Sequence, residues 1–201
     1  MQKPFWIPGI TLLIMFSACH NLDKAKQFPS IAAATAQDAQ TIFPVTEFLL
    51  GQIKELDGMP ITPLKITIHD NKRDSVWLQR KDIAGFAKPF LTPIIDSATM
   101  TKYFSEKSFM DQTINAVTLT YDPKVVLPDS MKLNHWDVYI TPQKNTVQRI
   151  YLVKETEDNG QTVTTQLTWE AGKWCSVRTI TQETKMPPDV KEEILKWDFD
   201  D

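Results

Sequence analysis

The chain has 201 residues, of which 42% are hydrophobic and 23% are charged, an ordinary composition for a globular protein. Its 22 basic and 25 acidic residues give a formal net charge of -3, which argues against the basic face that nucleic-acid binding requires. Only six glycines occur, which argues against a glycine-rich phosphate-binding loop. We therefore expect a globular domain without a nucleic-acid partner.

Residues 1–18 have the pattern of a secretory signal peptide. Lys3 supplies the positive charge, and residues 5–18 form a nearly uncharged run. This run is shorter than the roughly 20 residues that a membrane-spanning helix needs, and Pro8 and Gly9 interrupt it. The sequence therefore predicts a leader rather than a membrane span.

The cysteine after this run is the expected anchor. Ser17, Ala18 and Cys19 resemble the bacterial lipobox, in which the cysteine is diacylated and becomes the new N-terminus; Phe16 stands where leucine is usual. Ordinary secretion with cleavage nearby and an uncleaved anchor are the alternatives. Several acyl chains on Cys19 would hold the chain on a bilayer, since each buried CH₂ contributes about 0.8 kcal/mol. Cys175 is then left without a partner, and we expect a buried, inert thiol.

Residues 19–40 are predicted to form the lipidated N-terminus and a flexible tether, because their apolar residues are too sparse to make a core face. As a coil, about 20 residues have an end-to-end distance of about 25 Å. Residues 41–201 are predicted to be a single domain.

Helices and one hairpin are predicted in the first half of this domain. The segment "TIFPVTEFLLGQIKELDG" predicts a helix with Pro44 at its first position and Gly58 at its end. Its apolar residues recur at helical spacing: Val45, Phe48, Leu49, Ile53 and Leu56. "PLKITIHDNKRDSVWLQ" predicts a hairpin with its turn at Asp70 and Asn71. "KDIAGFAKPFL" and "DSATMTKYF" predict two short helices, the second capped by Asp96.

Strands are predicted in the second half. "QTINAVTLTYDP", "HWDVYIT", "TVQRIYLVKET", "QTVTTQLTWE" and "KWCSVRTIT" follow one another at short spacing. A tight turn at residues 159–160 sets Leu152 opposite Leu167 and Ile150 opposite Trp169. A second turn at residues 171–172 sets Trp169 opposite Trp174. One sheet face is then predicted to hold Ile150, Leu152, Val163, Leu167, Trp169, Trp174 and Ile180, with Arg178 among them opposite Thr165.

The last segment, "PPDVKEEILKW", predicts a helix with Val190, Ile194 and Trp197 on one side. Together these elements predict an α+β fold: an antiparallel sheet of about five to seven strands, rich in hairpins in its C-terminal half, with helices packed on one face. A cone-shaped nuclear-transport-factor-like fold and a half-barrel such as lipoprotein carriers use are both compatible with this pattern.

Catalytic signatures are absent from the sequence. It contains no G-x-S-x-G, H-E-x-x-H, C-x-x-C or G-x-G-x-x-G motif, and we predict no catalytic residue, metal ligand or cofactor. His135 and Asp137 share a strand face and could serve a hydrolase with nearby carboxylates, or a metal together with His69 and Asp70. The simpler interpretation is that His135 caps a strand and that His69 and Asp70 open a turn.

Aromatic residues are the other candidates for a site. Trp136, Tyr139, Trp169 and Trp174 could line a pocket for an apolar or saccharide ligand, with Arg178 at its rim. Core packing is the competing interpretation for the tryptophans, and solvent exposure at a sheet edge is the one for Arg178.

Five segments, "FPVTEFLLGQIKELD", "DSVWL", "LTYDP", "HWDVYI" and "LTWEAGKWC", resemble uncharacterised lipoproteins of the Bacteroidota, over nearly all of the chain after the tether. The resemblance implies an outer-membrane location and carries no activity with it. No acidic run of the kind that directs some such lipoproteins to the surface follows Cys19, which favours a periplasm-facing position.

The expected function is that of a non-enzymatic, lipid-anchored envelope domain that binds a partner protein or an apolar ligand. An envelope hydrolase using His135 and Asp137 is one alternative. A structural subunit of an envelope complex, with the sheet edge or the acidic C-terminal tail as its contact surface, is the other.

Overall fold

A computed structural model describes residues 41–158 and 160–199, which all lie within one compact unit. The predicted signal peptide, Cys19 and the tether lie outside the described residues. The helices are α1 (Val45–Gly58), α2 (Asp82–Ala87), a 3-10 turn (Lys88–Leu91) and α3 (Ser97–Met100). The strands are β1 (Leu64–His69), β2 (Lys72–Trp77), β3 (Phe104–Asp111), β4 (Ala116–Pro123), β5 (Leu133–Thr141), β6 (Thr146–Asp158), β7 (Gln161–Glu170), β8 (Trp174–Glu183) and β9 (Asp189–Lys196).

The strands form one nine-stranded sheet in the order β2-β1-β9-β8-β7-β6-β5-β4-β3. Every pairing is antiparallel, and most neighbours along the sheet are also neighbours along the chain. The exception is β9, which lies between β8 and the early strand β1. The described part of the chain is therefore mostly β with a few short helices, and its strand number exceeds the five to seven predicted.

Helices cover one side of the sheet, which we call the core face. Every buried residue of the described helices belongs to one hydrophobic cluster with the strand residues of this side. The strand members include Leu119, Trp136, Val138, Ile150, Leu152, Leu167, Trp169, Cys175 and Leu195. We call the opposite side the open face. The prediction of helices packed on one side of an antiparallel sheet is confirmed.

Several local predictions are confirmed. The first helix ends at Gly58, although Pro44 lies at the N-cap rather than the first helical position. Asp70 and Asn71 form the predicted turn, both with positive φ, as a type I′ hairpin requires. Asp96 caps α3 by accepting a hydrogen bond from the Thr99 backbone N–H at 2.8 Å.

The predicted C-terminal helix is wrong, because this segment is β9, an interior strand of the sheet. Val190 and Ile194 are four residues apart, a spacing that suits a helix and equally a single face of a strand. Pairing decides between the two: β9 forms ladders with β1 on one side and β8 on the other. A strand buried between two partners satisfies its backbone groups on both sides.

The predicted register across the β7–β8 turn is also wrong by one residue. The loop has three residues, 171–173, so Glu170 pairs with Trp174 and Trp169 pairs with Cys175. Gly172 has a φ of 78°, the conformation that three-residue hairpin loops commonly require. Since neighbouring residues on a strand point to opposite sides, the slip moves three side chains from the predicted core to the open face: Trp174, Arg178 and Ile180.

Cys175 takes the core position that Trp174 was predicted to hold. Its thiol is free and fully buried, as predicted, and burial raises the pKa of the thiol. In the part of the chain that the structure describes, no helix is both long and apolar enough to cross a membrane.

Candidate functional site: the open face of the sheet

The five predicted ligand-binding residues are divided between the two faces. Trp136 and Trp169 lie on the core face and are fully buried, whereas Tyr139, Trp174 and Arg178 lie on the open face. The proposed pocket therefore does not form as one site, and only the second group can contact a ligand in solvent.

The two buried tryptophans are packing residues. Trp136 stacks on Tyr121 with a centroid separation of 4.6 Å, and Trp169 lies 5.4 Å from both Phe90 and Trp197. Aromatic contacts of this kind add about 0.5–1.5 kcal/mol beyond the burial of their area. These rings fill the space between sheet and helices.

A row of directly opposed side chains crosses the open face. Pairing runs from Tyr139 on β5 through Arg149, Glu170 and Trp174 to Lys196 on β9. The Arg149 guanidinium lies 5.8 Å from the Tyr139 ring centre, and its Nε donates to Oε2 of Glu170 at 2.7 Å. At about 4.8 Å per strand, this row is about 19 Å long. It presents two aromatic and three charged side chains.

Side chains with hydroxyl groups lie beside this row. Two residues further along the strands, Tyr151, Thr168 and Ser176 are directly opposed, and Ser176 is buried. The following row contains Arg178 and Glu192. The open face therefore carries three neighbouring hydroxyl groups between two rows that contain charged side chains. Sequence reasoning found Arg178 but missed Tyr151, because the register slip concealed which residues of β6 and β8 share a face.

On the β5 side of these rows, His135 lies between two carboxylates. Its Nδ1 is 2.9 Å from Oδ1 of Asp122, and its Nε2 is 3.1 Å from Oδ2 of Asp137. Carboxylate oxygens only accept hydrogen bonds, so both ring nitrogens carry a proton in this arrangement. Oδ1 of Asp137 also accepts from the Thr120 hydroxyl at 2.6 Å, and its Oδ2 from the Tyr139 hydroxyl at 3.3 Å.

The charges in this cluster stabilise one another. The hydrogen bonds to Asp137 and Asp122 raise the pKa of His135, against the opposing effect of partial burial. Hydrogen bonding to His135 lowers the pKa of Asp122, and the same interaction lowers that of Asp137 despite the cost of burying the carboxylate. Burial and the nearby Asp137 charge raise the pKa of Tyr139 to about 12. The arrangement therefore favours the protonated form of His135 and the ionised forms of Asp122 and Asp137.

In its protonated form, His135 is unsuitable as a general base. A doubly protonated imidazole has no lone pair with which to take a proton or to bind a metal, and both of its N–H groups are already used. The arrangement instead fixes Asp137, which in turn accepts a hydrogen bond from the Tyr139 hydroxyl on the open face. His135 and Asp137 are brought together as the sequence suggested, in a positioning role.

His69 does not join this cluster. Four strands separate β1 from β5, a distance of about 24 Å across five strand spacings. His69 Nε2 instead lies 2.8 Å from Oδ1 of Asp189, and Nδ1 is 4.0 Å from Oδ2 of Asp70. The ligand atoms of these three exposed residues lie within 4.8 Å of one another and could approach a cation together. Asp189 was missed because the β1–β9 pairing joins distant parts of the chain.

A separate concavity of about 370 Å³ lies between α1 and α2. Leu50, Ile53, Ile83 and Ala84 form its apolar lining, and the charged lining residues are Lys54, Asp57, Arg80 and Lys81. None of the predicted site residues lines it.

Comparison with known proteins identifies no relative of this chain. The chain matches no protein-family model, no curated protein and no solved structure.

Proposed function

We propose that the chain is a lipid-anchored protein of the cell envelope that acts by binding a partner protein on the open face of its sheet. The anchor rests on the sequence: a leader that ends at Cys19, followed by a polar tether. The resemblance to Bacteroidota lipoproteins supports an outer-membrane location that faces the periplasm.

The residue composition of the open face is the observation that supports a protein partner. Tyr139, Tyr151, Arg149, Trp174 and Arg178 all belong to the three residue types that are enriched at the energetic centres of protein interfaces. Arg178 is exposed, and the other four are partly exposed. A partner that covers this face would bury aromatic area and form hydrogen bonds with the guanidinium groups.

An apolar ligand carried between sheet and helices is less well supported. Large side chains occupy the described part of that space, among them Trp136, Trp169, Phe90 and Phe104. The hydrolase alternative is weakened because both ring nitrogens of His135 lie within hydrogen-bond distance of carboxylates, which leaves neither nitrogen free to contact a substrate. A structural subunit would use the same open face or the exposed edge strand β2, and it would differ in forming a permanent complex.

The test of binding is comparative capture from solubilised envelope, with the full acylated chain as bait. Trp174→Ala combined with Arg178→Ala removes the centre of the open face and leaves the core untouched. Leu50→Ala combined with Lys54→Ala, on the exposed side of α1, is the matched control. We expect envelope proteins retained by the wild type and the control to be lost by the open-face variant. Identical retention by all three would contradict the proposal.

The anchor has its own test, the Cys19→Ala variant. Wild-type protein should sediment with membranes and resist release by high salt, whereas the variant should not. If the variant still sediments and still resists salt, the lipid anchor is wrong.

A further inference from the structure

A histidine and two aspartates meet where the first hairpin adjoins the last strand, and we call them the hairpin cluster. His69 is the last residue of β1, Asp70 begins the turn to β2, and Asp189 is the first residue of β9. The antiparallel pairing of β1 with β9 sets His69 directly opposite Lys191. Asp189, two residues earlier on β9, therefore lies at the same end and on the same side of the sheet as His69.

The three side chains of the hairpin cluster hold their donor atoms close together. Nε2 of His69 lies 2.8 Å from Oδ1 of Asp189, and Nδ1 lies 4.0 Å from Oδ2 of Asp70. One donor atom from each residue lies within 4.8 Å of the other two. Donors bound to one zinc ion at about 2.1 Å in a tetrahedral arrangement are about 3.4 Å apart. The side chains are 43% to 73% exposed, so rotation about their own bonds can close the remaining gap.

The residue types of the hairpin cluster form a mixed ligand set. An imidazole nitrogen suits zinc and the neighbouring transition ions, and carboxylate oxygens bind zinc as well, whereas magnesium and calcium prefer oxygen donors alone. Within residues 41–158 and 160–199, no other group of three or more His, Cys, Asp and Glu residues brings its donor atoms so close. The two carboxylates beside His135 do not meet this distance, so the two histidine clusters differ in what they can bind.

Lysines flank the hairpin cluster without occupying it. Lys191 pairs with His69 from β9, and its Nζ lies 3.3 Å from Oε2 of Glu193. Lys72 pairs with His69 from β2 and is exposed. Net charge therefore does not select the ligand of this cluster. Direct coordination by the three donors does, and raised salt should change it little, because salt screens surface charge rather than coordination bonds.

We propose that His69, Asp70 and Asp189 bind one divalent transition-metal ion of the zinc class, through a ring nitrogen and two carboxylate oxygens. The ion replaces the hydrogen bond between His69 and Asp189 and ties the β1–β2 turn to the start of β9. Three protein ligands leave at least one coordination position for water or for a donor atom of another molecule. Asp189 has the same strand parity as the buried Leu195, so the cluster lies on the core-face side and is independent of partner binding on the open face.

Zinc binding to the full chain tests the proposal. The acylated protein in detergent micelles is freed of metal with a chelator and titrated with zinc chloride at neutral pH in a calorimeter. We expect one ion to bind at this cluster, with an affinity that raised salt changes little. Zinc should also raise the unfolding temperature of the wild type but not of His69→Ala, because the ion binds only the folded arrangement of the three ligands.

Three variants each remove one ligand: His69→Ala, Asp70→Asn and Asp189→Asn. Loss of a residue that merely supports a ligand already costs about 10–100-fold in metal affinity, so each variant should weaken zinc binding by at least about tenfold. Asp129→Asn is the matched control, an exposed carboxylate in the loop 124–132 at the same end of the sheet, and should leave the affinity unchanged. Near-ultraviolet circular dichroism checks that each variant is folded.

Nuclear magnetic resonance of the wild type identifies the histidine ligand without any substitution. In a long-range proton–nitrogen correlation of the imidazoles, zinc should shift a ring nitrogen of His69 and leave His135 unchanged. No zinc binding, or equal affinity in the wild type and all three ligand variants, overturns the proposal. A zinc-induced shift at His20 or His135 in place of His69 overturns it as well. Displacement of zinc by an equal concentration of magnesium or calcium would contradict the imidazole ligand.

Discussion

The two faces of the sheet use the same residue types for opposite purposes. Trp169 and Trp174 lie five residues apart in one hairpin, yet Trp169 is fully buried against Phe90 and Trp197 while Trp174 lies partly exposed on the open face. The cause is a single residue in the loop between their strands. One-residue register changes invert every side chain that follows, so loop length decides which tryptophan becomes core.

The buried polar groups Asp137 and Trp169 also differ between the two faces of the sheet. On the open face, Asp137 is buried and accepts hydrogen bonds from Thr120, His135 and Tyr139. On the core face, the buried indole nitrogen of Trp169 has no hydrogen-bond partner among the described residues. Burial of Asp137 on the open face is therefore compensated by hydrogen bonds, whereas burial of Trp169 on the core face packs an aromatic ring against its neighbours.

The largest expected effect is on the core face. Trp169→Ala should lower the free energy of unfolding by about 3–5 kcal/mol, because it removes a large ring from a closely packed cluster. Trp174→Ala, in the same hairpin, should cost less than about 1 kcal/mol. Urea unfolding followed by far-ultraviolet circular dichroism measures both. Equal losses from the two variants would contradict the assignment of faces.

The next effect concerns the neighbouring pair Cys175 and Ser176, which point to opposite faces. Cys175→Ser places a hydroxyl without a partner in the core and should cost about 2 kcal/mol. Ser176→Ala, the control on the open face, should change stability by less than about 1 kcal/mol. In the folded wild type, Cys175 should not react with a water-soluble maleimide until denaturant is added. Rapid labelling of the native protein would show that Cys175 lies on the open face and not in the core.

A smaller effect is expected from His135. His135→Ala leaves Asp137 without its cation and should cost about 1 kcal/mol, since the His135 side chain is 29% exposed and the pair is partly screened. His69→Ala, which breaks an exposed contact with Asp189, should cost less.

The same cluster predicts a pH dependence. The pKa of His135 is raised above its ordinary 6.5, so its contribution is full below about pH 6.5 and is lost as the pH rises through the higher folded value. The pKa values of Asp122 and Asp137 are lowered from 3.8, so their contribution is present above about pH 4 and is lost as the pH falls through the lower folded values. Stability curves of wild type and His135→Ala should differ most between about pH 4 and 6.5. Parallel curves over the whole range would exclude this ion cluster.

The smallest effect on stability is expected at the exposed Arg178. Arg178→Ala should alter the free energy of unfolding by no more than about 0.5 kcal/mol, because the Arg178 side chain is exposed and forms no ion pair within residues 41–158 and 160–199. It should nevertheless weaken capture of the partner. A loss of stability above 2 kcal/mol would indicate that Arg178 is part of the fold rather than of a binding surface.

Local patterns determined much of this protein. Helical spacing of apolar residues located α1, the Asp70–Asn71 dipeptide located the first hairpin, and Asp96 marked the start of α3. The pairing of β6 with β7 was also predictable, because a two-residue loop leaves only one register. In each case the deciding interactions join residues close together in the chain.

The tertiary structure decided the rest, because distant pairings carry no local signal. Residues 189–196 have a pattern that fits a helix or a strand, and only insertion between β1 and β8 makes them a strand. The three-residue loop after Glu170 assigned Trp174 and Arg178 to the open face, and the meeting of β4 with β5 gave His135 its second carboxylate, Asp122. The sequence by itself determined the composition of the candidate site and the predicted anchor at Cys19. Which aromatic residues meet solvent depended on register, which a single loop residue changes.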